Sequence, residues 1–118
     1  MFAVVRNDLA MAPGKLCSQS GHAYVGALTR ALQQTPGLVA AYHNEFPRSP
    51  GTKICLQANL AQITRLIEEL SFTPIPHHIV YDSGCANFFN GERTLTALGL
   101  GPVTNSEAPR FLKRLKLL

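Results

Sequence analysis

The sequence predicts an α/β fold in which a mixed β-sheet carries helices on its faces. Three observations predict it. A Val-rich apolar run over Met1–Asp8 has the length of a strand and leads through Pro13-Gly14 into a segment of helical period. Strand-like and helix-like segments then follow in the order β-α-β-α-β-β-α, the pattern of a sheet covered by helices. The composition, 46% hydrophobic and 15% charged, suits one globular domain over residues 1–118, long enough to bury a core without disulfides or metal.

The first helix is expected from about Gly14 to Gln34, with Lys15 at its entrance. At 3.6 residues per turn, Leu16, Cys17, Ala23, Tyr24, Val25, Ala27, Leu28, Ala31 and Leu32 share one broad arc. Lys15, Ser18, Gln19, His22, Gly26, Thr29 and Arg30 share the other, which holds no Asp or Glu. Gly21 and Gly26 each cost about 1 kcal/mol against Ala in a helix interior, so something is expected to approach this helix closely. Thr35-Pro36-Gly37 stops it.

Leu38–Tyr42 reads as a short strand or extended connection, and residues 43–51, with Pro47, Pro50 and Gly51, as a loop. Thr52–Gln57 alternates and forms the second main strand. Asn59 suits the N-cap of a helix over Leu60–Leu70, whose apolar stripe is Leu60, Ile63, Leu66, Ile67 and Leu70. Past Pro74 and Pro76, His77–Tyr81 is a third strand ending at Asp82, and residues 83–93 are a loop. Thr94–Leu100 is the fourth strand. Gly101-Pro102 ends it, and Ser106 caps a short last helix through Leu115. The first two crossovers make their strands parallel, while the last two strands, with no helix between them, require one to be antiparallel.

Composition excludes several classes. No apolar run approaches the roughly 18 residues of a membrane span, and the N-terminus is strand-like rather than a signal peptide. Three scattered cysteines make neither a disulfide framework nor a zinc ligand set, which points to a reducing cytoplasm. A net charge of +4 and a pI near 9.3 suit a polyanionic partner.

A strand that stops where a helix begins places polar groups where ligands of α/β sheets usually sit. Gly14-Lys15 lacks the spacing of a phosphate loop and is followed by Leu16, so an NTPase is rejected. Lys15 is otherwise a surface lysine, or an ammonium that holds a phosphate or a developing oxyanion. Asp82 reads equally as an Asx-turn at a strand end. Thr94 and Thr96 point to one face of their strand, where Thr is common anyway. His22, Gln19 and Ser18, within two turns of Lys15, are further candidates for catalysis or substrate binding. Arg6 and Arg30, with Lys113 and Arg114 of the basic tail, are candidate contacts to a polyanion such as RNA, while the tail reads equally as the solvated face of a terminal helix with Phe111, Leu112 and Leu115 inward. A Cys85–His nucleophile pair is disfavoured, because His77 and His78 alternate along a strand. No metal spacing is present.

The run Val4-Val5-Arg6-Asn7-Asp8-Leu9, then Met11-Ala12-Pro13-Gly14-Lys15, Ser18-Gln19 and His22-Ala23, resembles the opening of the archaeal and eukaryotic type of peptidyl-tRNA hydrolases. The resemblance returns at Tyr81-Asp82-Ser83-Gly84 and over Thr94–Pro102, and it closes with Leu115-Lys116-Leu117-Leu118. It implies a mixed sheet of about four strands in a three-layer α/β/α sandwich. It also implies hydrolysis of the ester between a peptide, or an N-blocked amino acid, and the 3′ end of tRNA. No cofactor or metal is implied; tRNA is the implied partner, and a homodimer is permitted. The resemblance makes Lys15 catalytic and Asp82 its partner. An aspartate of ordinary pKa, about 3.9, is a weak base at neutral pH, so positioning a water is the safer role. In the pattern Thr94-Leu95-Thr96-Ala97-Leu98-Gly99 the family's functional threonine falls on Thr94, with Thr96 the alternative. Relatives carry Arg-Thr after Asp-x-Gly, where this chain has Cys85-Ala86. Lys15 and Asp82 are expected at one edge of the sheet and at the surface.

Overall fold

The computed structural model describes residues 1–44, 50–83 and 89–118. Its elements are β1 (Phe2–Arg6), α1 (Pro13–Gln34), α2 (Pro36–Tyr42), β2 (Ile54–Ala58), α3 (Leu60–Ser71), β3 (His77–Asp82), β4 (Thr94–Leu100) and β5 (Lys116–Leu117). The strands form one sheet in the order β3-β4-β1-β2-β5. β1 and β2 are parallel, β4 is antiparallel to both of its neighbours, and β5 is antiparallel to β2. The mixed α/β class is as the sequence predicts, with five strands rather than four.

Alternation along β1 divides the core. Ala3 and Val5 face α1 and meet its Ala23, together with Val80 and Ala97. Val4 faces the other way and packs with Leu56, Leu98 and Leu100 against Ile63, Leu66 and Leu70 of α3. The two layers differ in side-chain size. The α1 interface is built on small residues, and at Gly99 the helix backbone comes so close that a β-carbon would lie 1.8 Å from the Ala23 carbonyl oxygen. The other layer is filled by Leu and Ile.

α3 begins where the sequence places it. The Asn59 side chain accepts from the Gln62 amide at 2.9 Å, and Gln62 Oε1 accepts from the Asn59 amide at 2.9 Å, a reciprocal cap that contributes about 1 kcal/mol. Asp8 Oδ2 also accepts from the Leu60 amide at 3.2 Å, placing a carboxylate at the positive end of the helix.

Three expectations are corrected. Leu38–Tyr42 is neither strand nor extended connection but the body of α2. Pro36 stops α1 and then serves as a first helical residue, the position where its missing N–H costs nothing. The last segment is not a helix capped by Ser106. Thr104 closes a turn through the Glu107 and Ala108 amides, Pro109 breaks the path, and only a 3₁₀ turn forms at Leu112–Arg114 before β5. The buried stripe of α1 is Gln19, Ala23, Ala27 and Ala31, so Gln19 moves into the interface, while Cys17, Val25 and Leu32 are exposed. The apolar arc read from the helical period is broader than the contact, because Cys17, Val25 and Leu32 lie past its edge.

Candidate active site

The parallel relation of β1 and β3, both antiparallel to β4, brings the C-terminal end of β3 beside the N-terminal turn of α1. Asp82 and Lys15 meet there as an ion pair. Their side chains are 11% and 17% exposed, so the pair is more enclosed than the surface position the sequence suggests. The first turn of α1 contains no acidic residue. Asp82 therefore supplies the negative charge that this positive helix end favours, and it offsets an ammonium at the end of a helix where a cation is disfavoured.

Gln19, one turn after Lys15, extends the pair inward. Its Nε2 donates to Asp82 Oδ2 at 3.4 Å, and its Oε1 accepts from the Thr96 hydroxyl. The result is a chain from Lys15 through Asp82 and Gln19 to Thr96. Gln19 is 3% exposed and Thr96 is fully buried. Thr96 reaches it through an irregularity in the ladder: Val80 opposes Ala97 but Tyr81 opposes Leu95, so β4 carries an extra residue at this point. Such bulges re-aim a side chain. Thr94 lies directly opposite Asp82 in the same ladder, half-buried, with its hydroxyl donating to the Glu92 carbonyl at 3.0 Å. The two threonines thus differ: Thr96 sits at the inner end of the chain, Thr94 at its mouth. We expect Thr96→Val to lower both melting temperature and turnover, because it leaves the buried Gln19 oxygen without its donor, at about 1–3 kcal/mol. Thr94→Val should leave the melting temperature unchanged, and Thr96→Ser should restore both properties. Melting curves alongside turnover of the same preparations decide it.

Outward from the pair runs a groove of about 670 Å³ between α1 and β3, lined by His22, Val25 and Gly26 on one side and by residues 78–83 and Arg93 on the other. His22 therefore lines the site rather than packing in the core. The close approach expected at the helix glycines occurs at Gly26, where a β-carbon would lie 2.1 Å from the His78 ring, and not at Gly21, which has nothing within 4 Å. Burial, then the charges of Arg30 and His22, hold the His78 imidazole below the usual histidine range. Arg93 lies over the Tyr81 ring at 4.3 Å, and the Lys15 ammonium is 5.9 Å from the Phe89 ring centre. Arg93 and Phe89 are not singled out by the sequence, His78 enters there only as a disfavoured partner of Cys85, and Tyr81 only as part of the motif ending the third strand. Alternation along the third strand was the available signal for Tyr81, whereas Phe89 and Arg93 carry no local one.

The other candidates are placed elsewhere. Ser18 is exposed on α1 outside the groove lining. Arg6 is 8% exposed and committed to Asp8, at 2.9 Å, and to the Leu95 carbonyl, at 3.1 Å, a structural role. Arg30 is exposed farther along α1, near Gln34 and His77. Lys113 and Arg114 are exposed in the 3₁₀ turn, whose Leu112 packs beneath α3 on the opposite sheet face. β5 beside them and β3 beside the site are the two sheet edges, four strand spacings or roughly 19 Å apart. Gly84, Cys85 and Ala86 lie outside the described residues, as do residues 45–49. Among the described residues no group of three His, Cys, Asp or Glu is placed to hold a metal, and no helix is long and apolar enough to cross a membrane.

The sequence profile of the family described as Peptidyl-tRNA hydrolase PTH2 matches residues 1–118. The chain is 31% identical over 115 residues to a Methanococcus vannielii protein named peptidyl-tRNA hydrolase, covering 98% of this chain and 95% of the relative. Over 119 residues it is 30% identical to the peptidyl-tRNA hydrolase of Methanocaldococcus jannaschii, covering 100% and 98%. A Drosophila melanogaster protein named probable peptidyl-tRNA hydrolase 2 is 31% identical over 118 residues, which are 100% of this chain and 61% of that protein.

Proposed function

Because the chain belongs to the peptidyl-tRNA hydrolase PTH2 family, we propose that it hydrolyses the ester joining a peptide, or an N-blocked amino acid, to the 3′ ribose of tRNA. The observation that carries the reading is the Lys15–Asp82 pair, brought together from α1 and β3 at the head of an open groove.

In this reading water is the nucleophile. Asp82 accepts one of its protons in a hydrogen bond and aims the oxygen at the ester carbonyl. Lys15 has three N–H donors, so it serves Asp82 and the carbonyl oxygen together and stabilises the charge that develops there. Collapse of the tetrahedral intermediate breaks the bond between the carbonyl carbon and the ribose oxygen. That oxygen takes up one proton given up by the attacking water and leaves as the 3′-hydroxyl of tRNA, while the peptide leaves as a carboxylate and the second water proton passes to solvent. Gln19 and Thr96 act as positioning residues, since Thr96 has no exposed atom with which to touch substrate. Thr94 is the hydroxyl at the mouth, placed to help hold the water. The reading carries tRNA as substrate and the cytoplasm as its site of action. Leu117, 69% exposed in the tail, leaves apolar surface that pairing into a homodimer would cover.

Incubation with N-acetyl-aminoacyl-tRNA tests the function directly. Release of the N-acetyl-amino acid is the expected result. Binding of tRNA without release would replace the hydrolase by a tRNA-binding module on the same fold.

A further inference from the structure

We propose that the outer edge of β3 is the docking strand for the peptide arm of the substrate, which adds to the sheet parallel to β3 with its C-terminal carbonyl at Lys15 and Asp82. This rests on the hydrolase reading and assigns the groove of that same site.

Among the described residues the topology leaves the edge open. β3 is the outermost strand, and among the described residues it pairs with β4 alone. An edge strand presents alternate main-chain N–H and C=O groups to any extended chain laid beside it. That is the contact a hydrolase of peptides of arbitrary sequence needs, since the main chain is what such substrates share. The groove has the matching shape. α1 forms its second wall with His22, Val25 and Gly26, and the glycine leaves room for the His78 ring to lie against the helix. Val25, 65% exposed, supplies apolar surface along the helix wall.

Direction follows from where the chemistry sits. Asp82 is the last residue of β3, and the bond to be cut follows the last residue of the peptide. A peptide whose C-terminal carbonyl is at Asp82 and which runs back along the groove toward His78 has the polarity of β3. From Asp82 to His78 is about 13 Å at 3.3 Å per residue, so the groove takes about four residues. The tRNA arm then leaves at the other side of Lys15, where the ammonium and the N-terminal amides of α1 favour phosphate.

The test is a series of N-acetylated substrates carrying one, two, four or six residues on one tRNA. The specificity constant kcat/KM is expected to rise about 10-fold from one residue to four, the scale of two added main-chain hydrogen bonds, and to be level from four to six. In the four-residue substrate, N-methylation of the amides facing β3 should remove the gain, while methylation of the alternate amide should keep it. A flat length dependence overturns the proposal, as does a gain insensitive to the position of methylation. If the groove instead holds the acceptor arm of tRNA, the peptide series is flat while His22→Ala and Arg93→Ala reduce the salt dependence of tRNA binding. Failure to cleave even the one-residue substrate would count against the hydrolase reading itself, a result distinct from a flat series.

Discussion

Lys15→Ala and Asp82→Asn are each expected to lower kcat by roughly 10²-fold or more, the scale of losing one stabilising donor or a positioned base. Because the pair is mostly enclosed, each single change also removes the counter-charge from a poorly hydrated ion, so each should lower the melting temperature. Activity loss and stability loss therefore have to be separated. The double variant Lys15→Met, Asp82→Asn removes both charges and should recover much of the melting temperature while remaining as inactive as the worse single variant. Non-additivity in kcat would show that both act on one water. Losses that multiply would assign Lys15 to tRNA binding instead. A double variant that regained activity together with stability would make the pair a structural feature.

The second large effect belongs to a residue remote from the chemistry. Gly99→Ala should lower the melting temperature by about 10 °C or more, since its β-carbon would lie 1.8 Å from a backbone oxygen of α1. No side chain can turn aside there. The helix must lift from β4, with overpacking costs of about 3 kcal/mol. α1 also carries Lys15 and Gln19, so turnover of the folded fraction should fall too. Gly26→Ala meets the ring of His78, a side chain that can move, and should cost less. Gly21→Ala meets nothing and should stabilise by up to about 1 kcal/mol. Thermal melts of the three variants rank them, and a Gly99→Ala melt within about 2 °C of wild type would contradict the close contact.

Within the described residues, the sequence by itself determined the elements whose signal is local. The periodicity of residues 13–34, the Asn59 cap and the alternation of Thr94–Leu100 each specify their own segment, because hydrogen bonds and side-chain periods there involve near neighbours. The last segment was misread as a helix from Ser106 to Leu115, because a proline in the first turn does not forbid one and local signals alone left it open. The site was legible in part: Lys15 and Asp82 stand at element ends that a parallel β1 and β3 must bring to the same side. Tertiary structure alone decided the rest. Two residues of β5 have no signal until β2 offers an edge to pair with. Gln19 looks polar and solvated on a helical wheel, and becomes buried only because Asp82 and Thr96 satisfy both ends of its amide. The difference between Thr94 and Thr96 depends on a one-residue slip between β3 and β4. Register across strands is set by packing between segments distant in sequence, and a period of two within one strand cannot encode it.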